Sequence, residues 1–257
     1  MLGFYLKKAF FDLWDNLLAI VLINLGFLVA MAGVIYLPFL LSFSPVLSLV
    51  GLSVGLVIFN IYAGGAARIA GDMADFKGTS FKEFWGYLKD SLKASLTLGG
   101  ISVVQVVILA IAFPFYLNLG GIVGLAAMSL IFWISVVWWL SSQYFFPAFQ
   151  RLDRDMVKVL KKSLILFFDN TGFTIFMGIG SLMIILLSSL TAFLLPGFGA
   201  VLLWHQVGLR LRLYKYDYLE ENPDADRKRI PWAALLMEDR EKVGPRSLRG
   251  MIFPWKE

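Results

Sequence analysis

The chain contains no cysteine and a single histidine among its 257 residues. Without thiols it can form no disulfide, no thiol nucleophile and no thiolate metal site. One imidazole cannot supply the ligand set of a histidine-bound metal. Charge is scarce as well, at 16% of residues, against roughly 25% in an ordinary soluble domain.

The scarcity is local. No Lys, Arg, Asp or Glu occurs from Asn16 to Ala67 or from Ala94 to Gln150, and from Ser163 to Leu209 only Asp169 interrupts the run. What fills these stretches is apolar: the chain is 59% hydrophobic with a mean hydropathy of +0.75. A soluble protein must keep a polar skin, so lipid has to supply part of the solvent. Each stretch is about twice the ~20 residues that cross a bilayer core, so each reads as a helical hairpin. The turns are marked by Leu37-Pro38 with Ser42-Phe43-Ser44-Pro45, by Phe113-Pro114 with Asn118, Gly120 and Gly121, and by Leu195-Pro196-Gly197. The expected fold is all-α, with six spans at about 16–41, 45–67, 94–117, 120–146, 171–195 and 197–214. Residues 1–215 then form the membrane domain and 216–257 a charged tail.

The basic residues fix an orientation. Lys7 and Lys8 precede the first hairpin, five Lys or Arg separate the first from the second, five separate the second from the third, and eleven follow. None falls in the three turns. Under the positive-inside rule both termini face the cytoplasm. The net charge of +5 is therefore a topological signal, and nucleic acid is not an expected partner. A cleavable leader ending near Ala30-Met31-Ala32 is the rival reading of the N-terminus, but Asp12 and Asp15 do not suit its basic region.

The segment from Thr79 to Lys93 carries capping-box spacing at Ser80 and Glu83 and an apolar stripe of Phe81, Phe84, Trp85, Leu88 and Leu92. It either lies on the inner membrane surface or continues the third span inward. Tyr5-Leu6-Lys7-Lys8-Ala9-Phe10 resembles Val159-Leu160-Lys161-Lys162-Ser163-Leu164, and Phe10-Phe11-Asp12 echoes Phe167-Phe168-Asp169, which hints at a lead-in helix used repeatedly. In the tail, Pro231-Trp232 opens a short helix, and Phe253-Pro254-Trp255 lies near the end of the sequence. The tail either docks on the cytoplasmic loops or reaches a partner.

Ionisable groups inside a span suggest function by default. His205 and Gln206 in the sixth span are the candidate substrate or proton site, with a helix-to-helix hydrogen bond as the plain alternative for each. Gln105 has the same plain account. Asn16, Asp169 and Asn170 are expected to cap helix starts. Asp72 and Asp75 form either a cytoplasmic acid pair or solvated loop charge. No catalytic residue, cofactor site or metal site can be assembled, and the G-x-x-x-G spacings at Gly51–Gly55 and Gly120–Gly124 read as helix-packing faces. Candidate partner contacts are Phe84, Trp85, Arg151 and Trp232.

At the fourth span's exit stands Gln143-Tyr144-Phe145-Phe146-Pro147-Ala148-Phe149-Gln150-Arg151. With Leu37-Pro38 and Phe81-x-x-Phe84-Trp85, this resembles the YesL-type family of bacterial membrane proteins over residues 5–215. The family's usual Thr-x-Gly after Leu-Pro is replaced here by Phe39 to Phe43. The resemblance implies a bacterial inner-membrane protein linked to carbohydrate uptake systems, and it carries over no catalytic residues. The expectation is a non-enzymatic accessory or regulatory protein touching the permease subunits of a sugar ABC transporter. The alternative is a small-molecule transporter or channel.

Overall fold

Long apolar runs that lack proline and charge must satisfy their backbone internally, and helices do so without a partner. The computed structural model describes residues 1–78, 81–227 and 229–246, and among these it is all-helical. Two helices of 14 residues, α1 (Leu2–Asp15) and α8 (Met156–Asp169), each feed an apolar helix, α2 (Leu17–Leu40) and α9 (Thr171–Ser189). From α2 the chain turns into α3 (Pro45–Ala74) and runs on through α4 (Phe84–Val107) and α5 (Phe113–Leu119). The helices α6 (Gly121–Ser142) and α7 (Phe145–Arg151) then lead to α8, and α10 (Gly197–Glu221) follows α9. Short helices α11 (Trp232–Leu235) and α12 (Met237–Val243) end the described chain.

Five segments are long and apolar enough to cross a membrane: Leu17–Leu40, Pro45–Ala74, Phe81–Leu119, Gly121–Arg151 and Thr171–Ser189. The expected sixth, 197–214, is not among them, because Arg210 and Arg212 cut its apolar part short. Its depth differs too. The rings of Phe27, Phe59 and Phe198 meet at 5.3–5.6 Å, so α10 begins level with the middle of α2 and α3. From Pro45 to Phe59 a helix rises about 21 Å, so the α9–α10 turn stops about that far short of the α2–α3 turn.

The first two turns fall within the marked stretches, at 41–44 and at Gly120 and Gly121, but two of the prolines that marked them lie inside helices. Pro38 sits inside α2, and the chain turns only after Leu40. Pro114 likewise lies within helix, because a π-helical turn at Ile108–Ala112 widens the spiral just before it. Proline has no N–H and crowds the carbonyl four residues back; a wider turn relieves both. The chain reverses instead at Gly120 and Gly121, whose φ values of 64° and 63° suit glycine. The inner-surface segment is no separate element: a 3₁₀ turn at Phe81–Glu83 runs straight into α4, so the stripe extends the third span. Thr79 and Ser80 lie outside the described residues.

Small residues set the closest packings. A Cβ at Gly51 or Gly55 would meet the α2 backbone at Leu37 or Val34, so this G-x-x-x-G holds α2 against α3. One at Gly64 would overlap Ser95, and α3 with α4 forms the most extensive helix pair. At Gly120–Gly124 the spacing serves a turn instead, with Gly124 against the Tyr116 carbonyl. The helices α4 and α6 are joined through α5 yet hardly touch, leaving an apolar groove of about 340 Å³ between them.

The lead-in helices repeat in a definite register. Leu6-Lys7-Lys8 through Asp15-Asn16 aligns without a gap on Leu160-Lys161-Lys162 through Asp169-Asn170. Helix breaks fall at both asparagines, with φ, ψ of −117°, 25° and −131°, 37°. The caps that the sequence predicts at Asn16, Asp169 and Asn170 are not formed: no side chain caps α2 or α9. Each side-chain amide instead donates back to the carbonyl four residues earlier, at 2.8 Å for Asn16 and 3.1 Å for Asn170. Where Tyr87-Leu88-Lys89 aligns with Tyr5-Leu6-Lys7, Leu98 replaces the asparagine and the helix runs on unbroken.

Candidate functional site at the charged end

Charge gathers where α3 and α7 end. Asp75 follows the last residue of α3, and Arg151 closes α7. One carboxylate oxygen of Asp75 accepts from Arg151 Nη1 at 2.8 Å and from Arg210 Nη1 at 2.6 Å. Arg210 turns its other face to Asp239 of α12, with Nη2 at 2.8 Å and Nε at 3.2 Å. Arg151 donates further to Gln206 at 3.4 Å, and Gln206 donates to the Ala67 carbonyl at 3.0 Å and to Gln150 at 2.8 Å. A chain of charge-assisted bonds thus ties α3, α7, α10 and α12 together. Arginine suits this role because its rigid fork reaches two carboxylates at once.

Burial alone would raise the Asp75 carboxyl, but Arg151 and Arg210 together hold it below the usual carboxylate range. Beside this network Lys8 and Asp12 of α1 pair at 2.8 Å, almost fully buried. Lys8 Nζ also lies 3.4 Å from the centre of the Phe76 ring. Burial pushes the Asp12 carboxyl up to about 6 although Lys8 pulls the other way, and burial lowers Lys8.

A cavity of about 400 Å³ opens beside Asp75, lined by Arg68, Asp72, Lys77, Gln150 and Arg151 among others. Arg68 Nε and Gln150 Nε2 are sealed from solvent without a partner among the described residues. The acid pair foreseen at Asp72 and Asp75 is divided between partners, and neither residue is loop charge: Tyr87 donates to Asp72 at 2.9 Å, while Asp75 bridges the arginines.

The other sequence candidates are dispersed. His205 and Gln206 are neighbours in sequence but point about 100° apart on α10. His205 Nε2 lies 2.8 Å from Ser181 Oγ on α9, whereas Gln206 faces α3 and α7. Phe84 packs on Tyr62, Trp85 is exposed beside Lys89, and Trp232 lies over Arg212. Among the described residues no cluster of three or more His, Asp or Glu could hold a metal.

Three features escaped sequence reading. Lys8 and Asp12 carry a usable signal, an i,i+4 pair among the apolar residues of α1. Asp239 carries none, because its role depends on where the tail folds. Asn24 is the third. Buried in α2, it donates to the carbonyls of Leu194 at 2.9 Å and Pro196 at 2.7 Å, and its oxygen accepts from Gly199 N–H at 2.8 Å. It thereby satisfies the irregular backbone of the α9–α10 turn.

No protein-family model matches the chain, and no curated protein or solved structure is significantly similar to it.

Proposed function

We propose that this is a non-enzymatic integral membrane protein with both termini in the cytoplasm, serving as an accessory or regulatory component of a larger membrane assembly. The observation that carries the reading is the Asp75–Arg151–Arg210–Asp239 network. Its acids and bases are spent on one another, clamping the tail to the membrane helices, so the charged end is built as a stiff platform. Beside it Phe81, Trp85 and Leu92 remain exposed among Lys82 and Lys89. Exposed aromatic side chains of this kind suit a protein partner.

The resemblance to the YesL-type family makes carbohydrate ABC permease subunits the partners to test first. Purification from native membranes in mild detergent, followed by mass spectrometry, should recover such subunits in stoichiometric amount. Trp85→Ala should release them while the protein itself stays monodisperse. Recovery of the wild-type protein alone, with no subunit at comparable abundance, would sink the accessory reading.

One observation favours a carrier as the second reading. The groove between α4 and α6 is lined by Ile101, Val104, Ile108, Ile134 and Trp138, with Gln105 and Ser135 as its polar members. An apolar solute could enter it from the lipid. Flux of such a solute into proteoliposomes, abolished by Gln105→Leu, would move the weight to this reading.

A further inference from the structure

On the face of α10 turned away from Asp75, a second cavity of about 330 Å³ is lined by Arg212, Lys215 and Arg227, with Phe173, Ile230 and Trp232 as its apolar wall. Arg210 and Arg212 stand about 200° apart around the helix, so the two cavities do not share their cations. Arg212 is the unusual member. Its guanidinium lies 4.1 Å from the centre of the Phe173 ring and 5.7 Å from that of Trp232. These rings meet the charge but accept no ordinary hydrogen bond, and the buried Nε has no acceptor among the described residues. The guanidinium group borders the open cavity, where its charge is available to an anion.

The opposite wall also donates. Asn170, Thr171, Gly172 and Phe173 line the cavity where α9 begins. The first backbone bond of α9 runs from Thr174 N–H to the Asn170 carbonyl, and no side chain caps the helix. The N–H groups of Thr171, Gly172 and Phe173 therefore have no helical partner, and the dipole of this 19-residue helix adds positive potential there. One acid is present: Asp169 accepts from Lys215 at 2.8 Å and from Tyr216 at 2.6 Å. That pairing neutralises Lys215 and leaves Arg212 and Arg227 as net positive charge. Open space surrounds Gly172, where an added Cβ would meet nothing.

We propose that this cavity binds a phosphate group, with Arg212, Arg227 and the first turn of α9 as donors. The chemistry is shared by an anionic lipid headgroup and by a soluble phosphoester, and basic pockets between helices at the cytoplasmic face bind the former. The inference goes beyond the accessory role and stands or falls separately from it.

The test uses the full chain in nanodiscs. Phosphatidylcholine discs are titrated with inorganic phosphate while the unfolding temperature is followed. Discs with added phosphatidylglycerol are compared by the same readout and by native mass spectrometry of retained lipid. Gly172→Glu puts a carboxylate in the cavity where there is room for it, at a helix start that favours negative charge. Arg227→Gln removes an exposed cation. Both should fold, and each should weaken anion binding about tenfold. Stabilisation by phosphatidylglycerol alone identifies a lipid site, and stabilisation by phosphate alone a soluble ligand. If neither anion stabilises the wild type, or if both variants respond as the wild type does, the site does not exist.

Discussion

At the scale of single residues, the buried charges dominate the arithmetic. Lys8 and Asp12 pay a desolvation cost that their mutual attraction only partly returns, so removing one partner hurts far more than removing both. Lys8→Met, which leaves the Asp12 carboxylate buried without its cation, should cost about 3–5 kcal/mol in denaturant unfolding in micelles at neutral pH, while the double variant Lys8→Met, Asp12→Leu should lie close to wild type. Equal destabilisation of both proteins would show that the pair is not the source. The two carboxylates also give opposite pH dependences. Asp12, with a folded pKa of about 6 above its unfolded value, binds its proton more readily when folded, so its contribution grows as pH falls from about 7 to about 4. Asp75 is depressed in the folded state, so its contribution is present above the ordinary carboxylate pKa and lost as pH falls through the folded value. Unfolding temperatures should therefore pass through a maximum near the ordinary carboxylate pKa, about pH 4. The acid limb should flatten in Asp75→Asn and the neutral limb in Asp12→Asn. The residues behind these effects were unequally legible. An i,i+4 pair on an apolar helix face can be read from sequence, but the junction of Arg210 with both Asp75 and Asp239 spans too much chain for any local pattern to show.

At the scale of elements, sequence reading succeeded where one force acts and failed where two compete. Apolar length alone decides that α2, α3, α4 and α6 are helices, and these were legible. Proline positions were not, because a proline ends a helix only when the turn before it cannot adapt. At Pro114 the π-turn of Ile108–Ala112 adapts, and the reversal waits for two glycines at positive φ. The α9–α10 turn shows the same dependence on remote chain. Its carbonyls at Leu194 and Pro196 lie beside apolar helices, and the satisfying group, Asn24, is on α2. Buried acceptors left unpaired cost roughly 1–3 kcal/mol each. Asn24→Leu should thus destabilise by about 2–5 kcal/mol. Denaturant unfolding in micelles reads the loss. Asn24→Asp should rescue less than half of the loss, because it retains the acceptor for Gly199 but supplies no amide donor. Full stability of Asn24→Leu would mean that the turn finds other partners.

At the scale of the whole molecule, charge segregation and helix depth point to different span counts. The basic residues lie in the two connections between hairpins and in the two terminal segments, and any number of complete hairpins satisfies the positive-inside rule with that pattern. A reporter fused to the C-terminus reads the same whether the third hairpin crosses or turns back inside the bilayer, so it cannot decide between them. The ring cluster of Phe27, Phe59 and Phe198 can, because it sets the α9–α10 turn about 21 Å below the α2–α3 turn. With the α2–α3 turn at the edge of a hydrocarbon core of ~30 Å, a turn at that depth is expected in lipid, and labelling tests the expectation. The absence of native cysteine makes this directly testable with single engineered thiols. Phe43→Cys and Asn118→Cys, near the first two turns, should react with a membrane-impermeant maleimide applied to spheroplasts. Arg154→Cys, between α7 and α8, should react only after permeabilisation. Ala192→Cys should resist the reagent from both sides and yield only once the membrane is dissolved in detergent. Labelling of Ala192→Cys at the rate of Phe43→Cys would restore a full third hairpin. Protection of Ala192→Cys would make α9 and α10 a re-entrant pair, whose turn needs Asn24 because no water reaches it.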